Sequence, residues 1–498
     1  MLRGNSDDYH MAITDDSTDD ATEAEPTLRQ ALVPALGVVG FLAIGSGLLG
    51  LSPHAPLLWS IVLAGVVGMY WLELDYDDIS GGIENGLKMG LQAVLILFTI
   101  YALIATWISS GTIPGLMYYG LGVLTPKTFL PAAALLAAVV AFSIGSSWTT
   151  AGTLGVAFAG IGSGLGIPVP MTAGAVLSGA YAGDKQSPLS DTTNLAAAVT
   201  DTDLYDHILG MRLGTAIAFG LSVLLYAGLG LRAGGAIPAG RVTEIRGALA
   251  GTFDLSLLVF LPLVVTFALA LRGVPALSSL VAGVFAGAGT TILVQGRSFT
   301  AAWGVFLDGT TPETGVDLVN SLLASGGLAG SAWTVSVVVL ALALGGLLDR
   351  LGVLSTLAAQ LTGAVRGQKS LVVGTGVSAF VVNFFSAQQY MSIVVPGMTL
   401  RELYEEYDLD SSALSRSIES VGTPTGALLP WHAGGVFMAG VFGLDSSLAY
   451  APYYFFAFLS PAVLVVLTLA GYGLFSSPPS EDTDGGTESE RTTPVAGE

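Results

Sequence analysis

Apolar stretches alternate with short polar ones along most of the chain. They are Ala31–Leu51, Pro56–Trp71, Met89–Ser109, Phe129–Ile144, Gly152–Leu165, Val169–Ala182, Ile208–Leu231, Leu255–Leu271, Ala276–Val294, Ala332–Leu348, Leu371–Phe385, Gly426–Phe442 and Tyr453–Phe475. A helix needs about 20 apolar residues to cross a hydrocarbon core of roughly 30 Å, so the pattern predicts an all-α polytopic membrane protein with about 11–13 transmembrane helices. Two of the stretches are interrupted: Gly166-Ile167-Pro168-Val169-Pro170 divides one apolar block and Gly422-Thr423-Pro424-Thr425-Gly426 opens another. Broken helices at membrane depth are tolerated only where they face protein or a wet cavity, which points to a transport core.

Composition agrees with the pattern. Hydrophobic residues make up 52% of the chain and charged residues 11%, far from the balance of a soluble domain. The acids that give the net charge of −20 concentrate in short loops and at the two ends. Residues 1–28 and 477–498 carry too little apolar content to bury a core and are read as disordered acidic tails. Between them lies one membrane domain, 29–476. No basic segment precedes the first apolar run, so that run is expected to act as an uncleaved membrane signal.

Four lysines against thirteen arginines and an acidic balance suggest a halophilic source, where carboxylates keep a protein hydrated. The same charge excludes strong binding to nucleic acid. The absence of cysteine excludes disulfides and thiolate metal sites. No Walker A, H-E-x-x-H or G-x-S-x-G motif occurs, so ATP-driven transport and the familiar hydrolytic chemistries lack support, and no enzyme activity or cofactor is expected.

The halves resemble each other. Aligning Gly111 with Gly352 brings Phe142–Trp148 near Asn383–Gln389 and Asp184–Asn194 near Thr425–Gly435. This suggests two repeats, about 75–231 and about 313–475, with polar breaks in corresponding places, a usual pointer to a midplane transport site. Chance alignment of two Gly- and Ala-rich halves is the alternative.

The chemistry concentrates in Gly183–Asn194. Asp184 and Asp191 stand seven residues apart with Pro188 between them, so a hairpin or unwound turn is expected rather than a continuous helix. Ser187, Ser190, Thr192, Thr193 and Asn194 add neutral oxygens, the all-oxygen surroundings that hard cations such as Na⁺ prefer. Burial disfavours a carboxylate's charged form and a bound cation restores it, so proton and Na⁺ compete for one site. Lys185 is a candidate ion-pair partner of Asp184, which would leave Asp191 as the exchanging carboxylate. An interfacial loop holding both acids is the competing reading.

Three other segments are candidates to complete the site. Ser146, Ser147 and Thr149 gather hydroxyls at the end of an apolar block, where close helix packing is the competing role. Asn383, Gln388 and Gln389 form the polar interruption of the second half. Glu419 and Thr423 precede Pro430-Trp431-His432, with Glu419 readable also as a solvated neighbour of Arg416. The polar run Arg401–Arg416 reads as an aqueous loop or surface helix.

These residues carry a family resemblance. The run Ser178–Ala196, containing Gly183-Asp184-Lys185-Gln186-Ser187-Pro188-Leu189-Ser190-Asp191-Thr192-Thr193-Asn194, resembles the hallmark of the NhaC family of Na⁺/H⁺ antiporters. Gly111–Pro114, Gly145–Gly155, Tyr390–Gly397 and Leu414–Arg416 extend it over nearly all of the chain between the tails. The resemblance implies a secondary transporter with two inverted repeats, re-entrant hairpins and a moving transport domain. It also raises Ser146–Thr150 from packing to site. The second half departs from the family pattern: Gln388 stands where relatives usually carry an acid, and Glu419-Ser420 where they usually read Glu-Asp.

The function expected is exchange of Na⁺ for H⁺ across the cell membrane, with Na⁺ at Asp191 and neighbouring oxygens. The alternative is an ion-coupled carrier of an organic anion or amino acid that uses Asn383, Gln388, Gln389, Trp431 and His432. The lipid bilayer, Na⁺ and H⁺ are the expected partners, and a small organic solute and a homodimer stand beside them.

Overall fold

The computed structural model describes residues 26–233, 240–360, 363 and 365–474, so most of both tails lies outside the described residues. Within these bounds the chain is helical, with one isolated bridge between Thr310 and Ser325 and no strand. It opens with α1 (Leu28–Phe41, continued by a wider-wound turn, Leu42–Leu48) and α2 (His54–Trp71). The first half then runs through α3 (Tyr76–Ser109), α4 (Thr112–Val123), α5 (Pro126–Ile144), α6 (Ser147–Gly164), α7 (Val169–Asp184), α8 (Asp191–Val199) and α9 (Leu204–Ala233). A connecting stretch holds α10 (Arg241–Thr252), α11 (Leu261–Ala270), α12 (Ala276–Leu293), α13 (Phe299–Asp308), α14 (Asp317–Leu322) and α15 (Gly327–Gly330). The second half comprises α16 (Ala332–Arg350), α17 (Val353–Gln360), α18 (Gln368–Ser386), α19 (Met391–Glu406), α20 (Ser411–Thr425), α21 (Ala433–Val441) and α22 (Phe455–Leu469).

Eight helices among the described residues are long and apolar enough to cross a membrane, or nine if the pair Arg241–Thr252 and Leu257–Ala270, bent by 90°, is one span. The protein is an all-α polytopic membrane protein. The thirteen apolar stretches exceed these helices because several flank breaks and are cut short. The stretch Gly426–Phe442 is a 3₁₀ turn at Gly426–Leu428, a loop and the nine-residue α21, not a crossing. Its break also falls later than Gly422–Gly426: α20 continues through Pro424 to Thr425. A proline removes one N–H and crowds the preceding turn, which bends a helix more readily than it ends one inside a packed core.

Helix order recurs between the halves. Gly111 and Gly352, paired in the sequence, both adopt left-handed backbone, at φ +82° and +66°, between a long helix and a short one. α5 ends at left-handed Gly145 (φ +73°), and α18 at left-handed Ala387 (φ +54°), a conformation that costs a non-glycine residue about 1–2 kcal/mol. α7 ends at Asp184 and α20 at Thr425, the same offset that relates Gly111 to Gly352.

Each half completes the other. α3 packs on α16 and α9 on α22, while α8 lies against α19 and α20, and α21 against α6. Small residues permit the closest approaches. A Cβ at Gly183 would stand 2.1 Å from the Ala138 carbonyl oxygen on α5, so only glycine lets the end of α7 sit there. That contact fixes the position of the neighbouring Asp184.

Candidate functional site

The first helix break sets the site. Residues 185–190 leave the helix around Pro188, and Ser190 caps α8 by accepting a hydrogen bond from the Thr193 N–H at 3.4 Å. Asn194 closes the turn, its Nδ2 donating to the carbonyls of Pro188 at 3.0 Å and Ser190 at 2.6 Å. Gly145 brackets the turn from the other side: a Cβ there would come within 2.4 Å of the Leu189 backbone. The result places Asp184 on the last residue of α7 and Asp191 on the first residue of α8.

The two carboxylates differ. Asp184 is 2% exposed; Oδ2 accepts from the Ser147 N–H at 3.0 Å, and Oδ1 makes no hydrogen bond. Asp191 opens toward the cleft, with Oδ2 accepting from the Tyr390 hydroxyl at 2.5 Å and Oδ1 from the Thr192 N–H at 2.9 Å. The amide end of α8 favours negative charge at Asp191, whereas Asp184 sits among the terminal carbonyls of α7.

Both line a narrow cleft of about 40 Å³. Ser146, Ser147 and Trp148 enter it from the start of α6, and Gln388, Gln389 and Tyr390 from the turn before α19. Ala93, Ile96, Leu342 and Ala433 complete the wall. Trp148 stacks flat on Phe437, with ring centroids 4.6 Å apart and planes at 9°. No lysine or arginine is among the lining residues.

Lys185 is not the ion-pair partner of Asp184. It is fully buried, and its Nζ donates to the Glu419 carbonyl oxygen at 3.2 Å and Ser460 Oγ at 3.4 Å while lying over the Phe456 ring. The helix end turns the side chain away from its sequence neighbour.

The remaining expected residues divide. Ser146 caps α6, accepting from the Thr149 N–H at 3.2 Å, and the Thr149 hydroxyl is buried outside the cleft lining without a hydrogen bond. Ser187 accepts from the Leu189 N–H at 3.2 Å, so it shapes the turn. Thr192 reaches backward to Glu419 Oε1 at 3.2 Å. Glu419 is fully buried rather than solvated beside Arg416, whose guanidinium donates to the Gly473 carbonyl; Glu419 Oε2 lies 3.5 Å from His207 Nε2. Thr423 is buried, its hydroxyl without a hydrogen bond.

In the second break, Asn383 and His432 are occupied with each other. The Gly434 N–H donates to His432 Nδ1 at 2.9 Å, so Nε2 carries the proton and donates to Asn383 Oδ1 at 2.7 Å. Asn383 Nδ2 donates to the Gly422 carbonyl at 2.8 Å and to Thr425 Oγ1 at 3.2 Å. Trp431 Nε1 donates to the Phe384 carbonyl at 2.9 Å. None of the three lines the cleft.

Sequence reasoning missed the pairing of Tyr390 with Asp191, of His207 with Glu419, and the wall position of Trp148. Tyr390 directly follows Gln389 in the polar interruption, which was the available signal. His207 and Glu419 are 212 positions apart, and only packing joins them.

The description "Na+/H+ antiporter family" matches residues 22–184 and 179–472. The chain is 52% identical over 465 residues to the arginine/ornithine antiporter ArcD of Halobacterium salinarum, covering 93% of this chain and 96% of that protein. It is 37% identical over 441 residues to the Na⁺/H⁺ antiporter NhaC of Alkalihalophilus pseudofirmus, covering 88% and 95%. It is 34% identical over 448 residues to the malate-2H⁺/Na⁺-lactate antiporter of Bacillus subtilis, covering 90% and 95%.

Proposed function

The chain belongs to the Na⁺/H⁺ antiporter family, NhaC among its members, and we propose that it exchanges cationic amino acids, arginine for ornithine, across the cell membrane. It is an antiporter embedded in the cell membrane by multiple helices, and not an enzyme. The observation that carries the amino-acid reading is the cleft itself. Two carboxylates, an indole and two amides converge on it, with no lysine or arginine among the lining residues. A guanidinium suits these walls, because it pairs with carboxylates through fixed N–H donors and lies against aromatic faces.

Three of the hydroxyls expected around a metal ion have other bonds: Ser187 in the turn, Ser190 in the helix cap and Thr192 to Glu419. Exchange of one monocation for another also moves no net charge, so it needs no further acids to balance the roughly 2.3 kcal/mol per charge at 100 mV. Alternation of the two halves about the breaks, as inverted repeats with re-entrant hairpins, would present the cleft to each side in turn.

Exchange of Na⁺ for H⁺ at Asp191 is the second reading. The free Oδ1 of buried Asp184 and the NhaC relative favour it. Proteoliposomes separate the two. Labelled arginine is expected to enter vesicles loaded with ornithine and not empty ones. Na⁺-evoked proton movement without amino acid, together with no arginine uptake, would reverse the assignment.

A further inference from the structure

The cleft is lined by two carboxylates, Asp184 and Asp191, and by a neutral amide, Gln388. Gln388 is 6% exposed and is held at three points. Its backbone N–H donates to Ser386 Oγ at 3.3 Å, its carbonyl accepts from that hydroxyl at 3.1 Å, and its side-chain Oε1 accepts from the Met391 N–H at 3.0 Å. A backbone N–H can only donate, so the amide orientation is determined: Oε1 faces α19, and Nε2 is left as the free donor on the residue that lines the cleft. Next to it, Gln389 is 8% exposed and its Oε1 has no hydrogen bond. The site therefore ends in an oriented donor and an unused acceptor at the amide end of the 16-residue α19.

Resting on the amino-acid reading above, we infer that Gln388 reads the α-carboxylate of the transported amino acid, its Nε2 donating to that group while Asp184 and Asp191 hold the cationic groups. The charges match. A cationic amino acid brings two positive groups and one negative, and the cleft offers two carboxylates and an amide donor. A carboxylate at position 388 would keep the acceptor for Met391 but replace the donor with a charge that repels the substrate's own carboxylate.

Agmatine, which keeps arginine's guanidinium and amine but lacks the carboxylate, isolates this contact. In ornithine-loaded proteoliposomes, unlabelled arginine is expected to compete with labelled arginine at least about tenfold better than agmatine does in the wild type. In Gln388→Glu, competition by arginine falls about tenfold or more while that by agmatine holds or improves, so the preference collapses. Gln388→Ala removes the donor without adding charge and moves the preference the same way by a smaller factor. An unchanged arginine-to-agmatine preference in both variants overturns the inference, and so does equal loss of both ligands, which would make Gln388 purely structural. A wild type that takes up no arginine defeats the amino-acid reading itself, before any variant is compared.

Discussion

The two helix breaks occupy corresponding places in the two halves, yet their polar groups do opposite things. In the first, between Asp184 and Asp191, a carboxylate oxygen is left without a hydrogen bond and both acids face the cleft. In the second, between Thr425 and Ala433, the imidazole of His432 and the amide of Asn383 satisfy each other and the surrounding backbone. A buried polar group left unmatched costs stability and persists where a ligand completes it, whereas a matched network fixes shape. On the proposed function, the first break is the binding element and the second is its frame.

Substitutions sharpen this contrast. Asp191→Asn keeps the size of the side chain and removes its charge, and exchange is expected to fall by about a hundredfold or more, the loss of a charged contact worth about 3 kcal/mol. Transport by membrane-inserted protein checks it. Gly183→Ala places a Cβ against the Ala138 carbonyl, and overpacking of about 1–3 kcal/mol should displace Asp184, lowering both melting temperature and transport.

His432→Ala attacks the frame. It strands Asn383 Oδ1 at a cost of about 1–3 kcal/mol, so the melting temperature in detergent should drop while the KM of the surviving protein stays near the wild-type value. A large KM change there would make the second break part of the binding surface. Tyr390→Phe removes one donor from Asp191 and is expected to change KM by about tenfold or less, with stability nearly unchanged.

The sequence made the binding element legible because its signals are local. Pro188 between two acids announces a broken helix, and the break lies within 185–190. Gln388 and Gln389 stood out as amides in an apolar run, and both reach the cleft. What was not legible depends on direction or on distance. Lys185 adjoins Asp184 in sequence, but the turn at the end of α7 sends its ammonium toward α20 and α22. Glu419 could be read as a site residue or as solvated beside Arg416, because helical spacing says which residues share a face and not what covers it. His432 and Asn383 read as solute ligands by residue type, and only hydrogen-bond geometry shows that their polar atoms are already engaged.

Arginine uptake into ornithine-loaded proteoliposomes, measured side by side for Asp191→Asn and His432→Ala and normalised to inserted protein, tests most directly the division between binding element and frame. The account predicts uptake near background for Asp191→Asn and a near-wild-type KM for His432→Ala. Uptake retained by Asp191→Asn, with binding lost in His432→Ala, would contradict it.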